Sequence, residues 1–168
     1  MKVRGYRADD EEAVIDCWNA ALSRDPIDAS TFRRKVLLDP NFDPRGLLIA
    51  DEGGEVVGLC LCLIRRVPLE RSDLQPDLGW ITAFGVRPTS RGRGAGTALI
   101  DAARHWFADA GRRSVSIAAY VPSYFVPGVD VSAYAEGLAF LTARGWIEVD
   151  RPISMDANLV NLDVEPHL

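Results

Sequence analysis

The sequence has no apolar run of membrane-spanning length. Its opening residues, Met1 to Arg7, are polar and charged rather than a basic segment leading into an apolar one. Neither a spanning helix nor a secretory leader is expected, so the chain reads as cytoplasmic, with no membrane partner. A basic excess is also missing: 19 Lys and Arg stand against 24 Asp and Glu, a net charge of −5. Proteins that grip a nucleic-acid duplex usually present a basic face, so no nucleic-acid partner is expected. The clusters Arg33, Arg34, Lys35 and Arg112, Arg113 read as solvated faces. Cysteine is scarce, and Cys17, Cys60 and Cys62 are odd in number and lack metal-ligand spacing, so no metal site is expected. With Leu59, Leu61, Leu63 and Ile64 around them, Cys60 and Cys62 read as reduced packing residues.

What is present suits one domain with a substantial core, since 48% of the 168 residues are hydrophobic. We take residues 1–160 as that domain and 161–168 as a tail. Lys2 to Arg7 reads as a strand. Asp9 or Asp10 caps a helix to about Leu22 with Ala13, Val14, Cys17, Trp18 and Ala21 on its apolar face. Ser30 caps a second helix carrying Phe32, Val36 and Leu37. Gly46 to Ala50 and Val56 to Val67 form a hairpin about Asp51, Glu52, Gly53 and Gly54, and the second strand, apolar on both faces, belongs at the centre of a sheet. Trp80 to Val86 and Val115 to Ala119 are further strands. Ser132 to Arg144 is a helix ended by Gly145, and Trp146 to Val149 with Ile153 to Leu159 close the sheet. The order predicts an α/β (α+β) fold: a mixed, mostly antiparallel central sheet of about seven strands with helices on both faces.

Between the strand ending at Val86 and a helix with Ala98, Leu99, Ala102, Ala103, Trp106 and Phe107 on one stripe lies Arg91, Gly92, Arg93, Gly94, Ala95, Gly96. Glycines there let backbone approach a ligand, and the unpartnered N–H groups of the first helical turn, with the helix dipole, favour an anion such as a pyrophosphate. Arg91 and Arg93 are flanking cations; a plain glycine turn with solvated arginines is the competing reading. No Gly-Lys-Ser/Thr follows, so this is not a Walker loop, and the spacing is not that of a dinucleotide fingerprint.

Arg91, Gly94 and Gly96 resemble the acyl-CoA signature of the GCN5-related N-acetyltransferase (GNAT) superfamily, an Arg or Gln followed by x-x-Gly-x-Gly or Ala. The order of elements from Val3 to Leu159 resembles the acyl-CoA N-acyltransferase fold of that family. The resemblance implies acetyl-CoA as co-substrate, bound by Phe84, Gly85, Val86, Arg91, Gly92, Arg93, Gly94, Ala95, Gly96 and Thr97, and a small-molecule or peptide amine as acceptor. Phe84 and Val86 would act through backbone N–H groups, and Gly85 between them would allow a bulge.

The chemistry is less complete than the cofactor loop. Several relatives carry a glutamate where this chain has Trp80, and the usual tyrosine, four residues before the glycine ending the last helix, falls on Leu141. Tyr134, Tyr124 and Tyr120 are the remaining candidates for the acid; Glu70, Asp73, Asp77 and Asp130 are those for the base. The acidic loop from Pro68 to Leu78 hints at a cationic acceptor, while Trp18, Phe32, Tyr124 and Phe125 suit an apolar pocket. The segment from Tyr124 to Asp130, with Gly145 and Trp146, resembles bacterial acetyltransferases that include two-domain proteins, some with one inert half. A homodimer, and a non-catalytic acyl-CoA-binding or regulatory domain, are therefore open beside an active N-acetyltransferase.

Overall fold

Gly53 and Gly54 take left-handed backbone, φ 66° and 93°, and the Asp51 carboxylate accepts the Gly54 N–H at 2.8 Å. That turn folds β2 (Leu47–Glu52) onto β3 (Glu55–Ile64) as the hairpin expected. The computed structural model describes residues 1–69, 73–118, 120–123, 125 and 128–151. With β1 (Lys2–Gly5), β4 (Leu78–Val86) and β5 (Ser114–Ile117), these residues form one five-stranded sheet whose spatial order is the chain order. The pairs from β1 to β4 are antiparallel, and β4 and β5 are parallel. β3 is central, and its side chains divide by the strand period of two: Leu59, Leu61 and Leu63 on one face, Cys60, Cys62 and Ile64 on the other.

Each face is covered by a helical layer. α1 (Glu11–Ala21) buries Val14, Cys17, Trp18 and Ala21, three or four residues apart, and α2 (Ala29–Phe32), continued by a wider turn over Arg33–Leu37, buries Phe32 and Val36. α2 begins two residues earlier than the Ser30 cap predicted, because Asp28 is the cap and its Oδ1 accepts the Thr31 N–H at 2.7 Å. The parallel crossover is α3 (Ala95–Asp109), which sets Leu99, Ile100, Ala103 and Phe107 on the opposite face against Cys60, Cys62 and Ile81. Cys60 and Cys62 are buried and unbridged, their sulfurs 3.7 Å apart.

The expected seven strands are therefore five among the described residues. Trp146 to Val149 is irregular; Ile147 and Val149 are 80% and 83% exposed, and no strand among the described residues lies beside them to complete a ladder. Ile153 to Leu159 lies outside the described residues. α4 (Ala135–Thr142) is shorter than the helix expected from Ser132, with Tyr134 as its N-terminal flank. No helix among the described residues is long and apolar enough to cross a membrane.

Candidate functional site

β4 is paired on both edges for only part of its length. Its register with β5 runs from Leu78 opposite Ser114 to Ile81 opposite Ile117 and closes with the Ala118 N–H on the Ile81 carbonyl at 2.9 Å. Beyond that point β4 continues to Val86 with β3 as its one strand neighbour among the described residues. Two local features open the gap. Leu61 faces Ala83 while Cys62 faces Ile81, so Thr82 is an extra residue, a bulge. Ala118, at φ 67°, turns the chain out of β5. The bulge thus sits at Thr82 rather than at Gly85. Gly85 is needed for a different reason: a Cβ there would stand 2.7 Å from the Ala21 Cβ of α1.

The Arg87 N–H bonds the Val57 carbonyl at 2.9 Å, which fixes the alternation of the ladder. Gly85 then faces β3, and the N–H groups of Phe84 and Val86 point to the edge that β5 has left. The Val86 carbonyl, on that same edge, accepts from Arg91 Nε at 3.3 Å.

After Val86 a short turn, Pro88–Ser90, leads to Gly92 (φ 73°) and Gly94 (φ 88°), both in the left-handed region that favours glycine. Gly94 flanks α3 without a side-chain cap, so the first-turn N–H groups of Ala95, Gly96 and Thr97 have no helical partner. A Cβ on Gly96 would come within 3.2 Å of Phe140, whose ring stacks on Phe84 at 5.8 Å between centroids. Of the two expected cations, Arg91 lines the cleft and reaches Glu136 at 3.5 Å, whereas Arg93 pairs with Glu52 at 2.8 Å and does not line it. Arg144 takes a place that sequence reasoning missed: its Nη2 donates to Thr97 Oγ1 at 2.7 Å while its guanidinium lies 3.6 Å from the Phe140 ring centroid. Its only signal in the sequence was a cation in the last turn before Gly145.

The open edge of β4 and the start of α3 face one cleft of about 890 Å³, which continues to Trp18, Asp25, Phe125 and Tyr134. Unpaired strand N–H groups, an uncapped helix start with two arginines and an apolar wall are the donors and surfaces that a thioester with a pyrophosphate tail would need. The residues present therefore fit acetyl-CoA.

The three tyrosines separate. Tyr134 lines the cleft; its hydroxyl donates to Asp25 Oδ2 at 2.7 Å and accepts the Arg24 N–H at 3.1 Å. Burial, then the bond to Asp25, pushes its pKa up to about 12. Tyr120 is fully buried away from the cleft, donating to Asp39 Oδ1 at 2.9 Å and accepting from Asn41 Nδ2 at 2.8 Å. Its hydroxyl is spent in the core, where burial drives its pKa up and no substrate reaches it. Tyr124 lies outside the described residues, as does Glu70. Asp73, Asp77 and Asp130 do not line the cleft; Asp25 and Glu136, which the sequence reading passed over, do. Trp80 is buried against Tyr120 at 5.4 Å, and Leu141 is a buried wall residue of the cleft.

A sheet parted beside a glycine-led helix start is the architecture of acyl-CoA-dependent acyltransferases. Residues 11–123 match the family model of the Acetyltransferase (GNAT) family, and the chain belongs to that family. Over 103 residues, 59% of this chain, it is 32% identical to the mycothiol acetyltransferase of Streptomyces bingchenggensis and 33% identical to that of Sanguibacter keddieii. The match spans 31% and 32% of those two proteins, about a third of their length. Among solved structures it is similar to a GCN5-related glucosamine N-acetyltransferase region of a fungal multi-domain β-N-acetylglucosaminidase, with TM-score 0.70 and 25% identity over 89% of this chain and 17% of that one. It also shares the fold of the aminoglycoside N-acetyltransferase AAC(6')-Iy, in complex with a bisubstrate analogue of CoA, with TM-score 0.63 and 19% identity over 94% of this chain and 97% of that one.

Proposed function

We propose that this chain is an acetyl-CoA-dependent N-acetyltransferase acting on a primary amine of a small molecule or peptide. The observation that carries the reading is the shared cleft, in which the Phe84 and Val86 N–H groups and the first turn of α3 are offered to one ligand. The pyrophosphate is assigned to the backbone from Gly92 to Thr97, with Arg91 and Arg144 as neighbouring cations. Arg93 is assigned an outer role, steadying the loop through Glu52. The Phe84 and Val86 N–H groups are assigned to the pantetheine arm and the thioester carbonyl, whose oxygen gains charge as the amine attacks.

Asp25 and Tyr134 stand at the acceptor end, beside Trp18 and Phe125. An alkylammonium near pKa 10.4 must lose a proton before attack, and Asp25 is assigned as its acceptor. The attacked nitrogen then carries a second proton that the departing thiolate needs. A phenol near 12 is too weak an acid to protonate a thiolate outright, so Tyr134 is assigned as a relay. Once Asp25 holds the ammonium's proton, the Tyr134 hydroxyl turns from that carboxyl to the sulfur; its oxygen takes the nitrogen's proton as its own passes to sulfur, and no tyrosinate accumulates. The relatives named above are named for small molecules, which supports a small acceptor. Trp80 and Leu141, standing where relatives carry an acid or base, favour the second reading, a non-catalytic acyl-CoA-binding domain.

Melting with and without CoA tests the donor assignment: at 100 times the dissociation constant, linkage gives about 2.7 kcal/mol of stabilisation. Gly94→Asp sets a carboxylate against the pyrophosphate seat and should erase that shift; its survival would move the site elsewhere. Acetyl-CoA consumption across an amine panel then separates the readings, since tight CoA binding with no turnover on any amine would sink catalysis.

A further inference from the structure

Hydrogen-bond donors are unevenly spread along the main cleft. Beside the start of α3 stand two arginines, the unpartnered first-turn N–H groups and the Thr97 hydroxyl, with Ser90 and Glu136 next to Arg91. Toward Trp18 and Phe125 the polar side chains are Asp25, Thr82, Ser132 and Tyr134. Three of these have no hydrogen left to offer. Tyr134 gives its own to Asp25 Oδ2 at 2.7 Å, and Ser132 gives its own to Asp130 Oδ1 at 2.7 Å. The Thr82 hydroxyl oxygen is buried and makes no hydrogen bond, so what Thr82 shows the cleft is not its hydroxyl.

Asp25 is the exception. It is half-buried, and with Oδ2 held by Tyr134 its Oδ1 has no partner among the described residues. No lysine or arginine side chain among the described residues lines this end; Lys35 lies over the Phe125 ring, 5.2 Å from its centroid, and is not part of the wall. The surface around Asp25 is apolar. The Trp18 and Phe125 rings meet at 4.9 Å between centroids, Leu22 and Ala83 belong to the same core layer, and Val129 also lines the cleft.

A carboxylate oxygen with no cation of its own suits one ammonium. Any hydroxyl or carboxylate that the acceptor brought to this wall would leave water and find no side-chain donor, and a polar group buried without a partner weakens binding. An anionic group would also face Asp25. Hydrocarbon loses nothing in the same move and gains from the area taken out of water.

We propose that the acceptor is an apolar monoamine, with its one ammonium on Asp25 Oδ1 and an alkyl, alicyclic or aryl body against Trp18, Leu22 and Phe125. This deepens, and rests on, the N-acetyltransferase reading. It sets amino sugars, amino acids and peptides aside as acceptors.

Cyclohexylamine and glucosamine, two ring-borne primary amines of which only the second carries hydroxyls, form the first probe pair. With acetyl-CoA saturating, kcat/KM should be at least about ten-fold higher for cyclohexylamine, within what a hydrophobic pocket achieves against added hydroxyls. Phenethylamine should outrun phenylalanine, which adds one carboxylate, by a similar margin. Leu22→Asn sets an amide donor in the wall and should shrink the cyclohexylamine-to-glucosamine ratio at least about three-fold, whereas a merely structural loss lowers both rates alike. Val129→Thr, close in shape, adds a hydroxyl instead and stands in if Leu22→Asn does not fold. Equal use of either pair by the wild type, a preference for glucosamine or phenylalanine, or a ratio that neither variant moves overturns the proposal. Calorimetry on the CoA complex keeps the two readings apart. Cyclohexylamine bound more tightly than glucosamine, without turnover of either, supports the apolar seat and defeats only catalysis; equal binding, or binding of neither, defeats the seat.

Discussion

Tyr120 shows how much a single hydroxyl can hold. Tyr120→Phe would leave Asp39 Oδ1 and the Asn41 amide each short of a partner inside the core. The expected loss is about 2 kcal/mol in denaturant unfolding, with the CoA-induced melting shift unchanged because the residue lies outside the cleft. A loss of the shift would return Tyr120 to the site. Side-chain identity alone could not separate the tyrosines: the sequence shows three near the fifth strand and last helix, and only burial and partners tell Tyr120 from Tyr134. Arg144 and Asp25 were illegible for a related reason. Thr97 and Arg144 are far apart in the chain, as are Asp25 and Tyr134, and the packing of α4 brings each pair together.

At the scale of elements, Gly85 lets α1 pack close on β4, since a Cβ there would stand 2.7 Å from the Ala21 Cβ. Gly85→Val would drive its side chain into Ala21 and Leu22, so the expected cost is about 3 kcal/mol, the upper end of overpacking, and the displaced helix would carry Trp18 out of the cleft wall. Circular dichroism melting with CoA present and absent checks both, and a variant as stable as wild type would show that α1 adapts freely. β3 was legible because an apolar run flanked by turn residues can only be central, and the β2 turn because Asp51 to Gly54 leaves few alternatives. The Thr82 bulge was not, since Trp80 to Val86 reads as an unbroken strand and the extra residue appears only in register with β3. Trp146 to Val149 has the apolar alternation of a strand, but alternation supplies no partner.

For the molecule as a whole, acid stability rests on carboxylates held in their charged form. Arg4 holds the Asp10 carboxyl below its ordinary value of 3.8, with burial opposing and the Arg7 N–H assisting; the bonds are 2.7 and 2.8 Å to Arg4 and 2.7 Å to Arg7. Arg45 foremost, then Arg66, does the same for Asp43. Folded values lie below unfolded ones, so this stabilisation is complete above about pH 4 and drains away as the pH falls through the folded values. Arg4→Met should cost about 2 kcal/mol at neutral pH, less than a fully buried pair because both partners keep some exposure, and should flatten the acid limb of the stability curve. Urea midpoints from pH 7 down to 2 check it; an unchanged acid slope would mean that Asp10 draws nothing from Arg4.

The main cleft is walled by Phe140 and Leu141 from the α3 side of the sheet and by Trp18 and Phe125 from the α1 side, so it passes through the opening between β4 and β5. A cleft lined from both faces of the sheet gives each of two ligands its own wall, so both can be held at once. No cysteine lines it to take the acyl group in between. On the proposed function, initial-rate plots against either substrate should intersect rather than run parallel; parallel lines would mean that the acyl group is parked on the protein between the two.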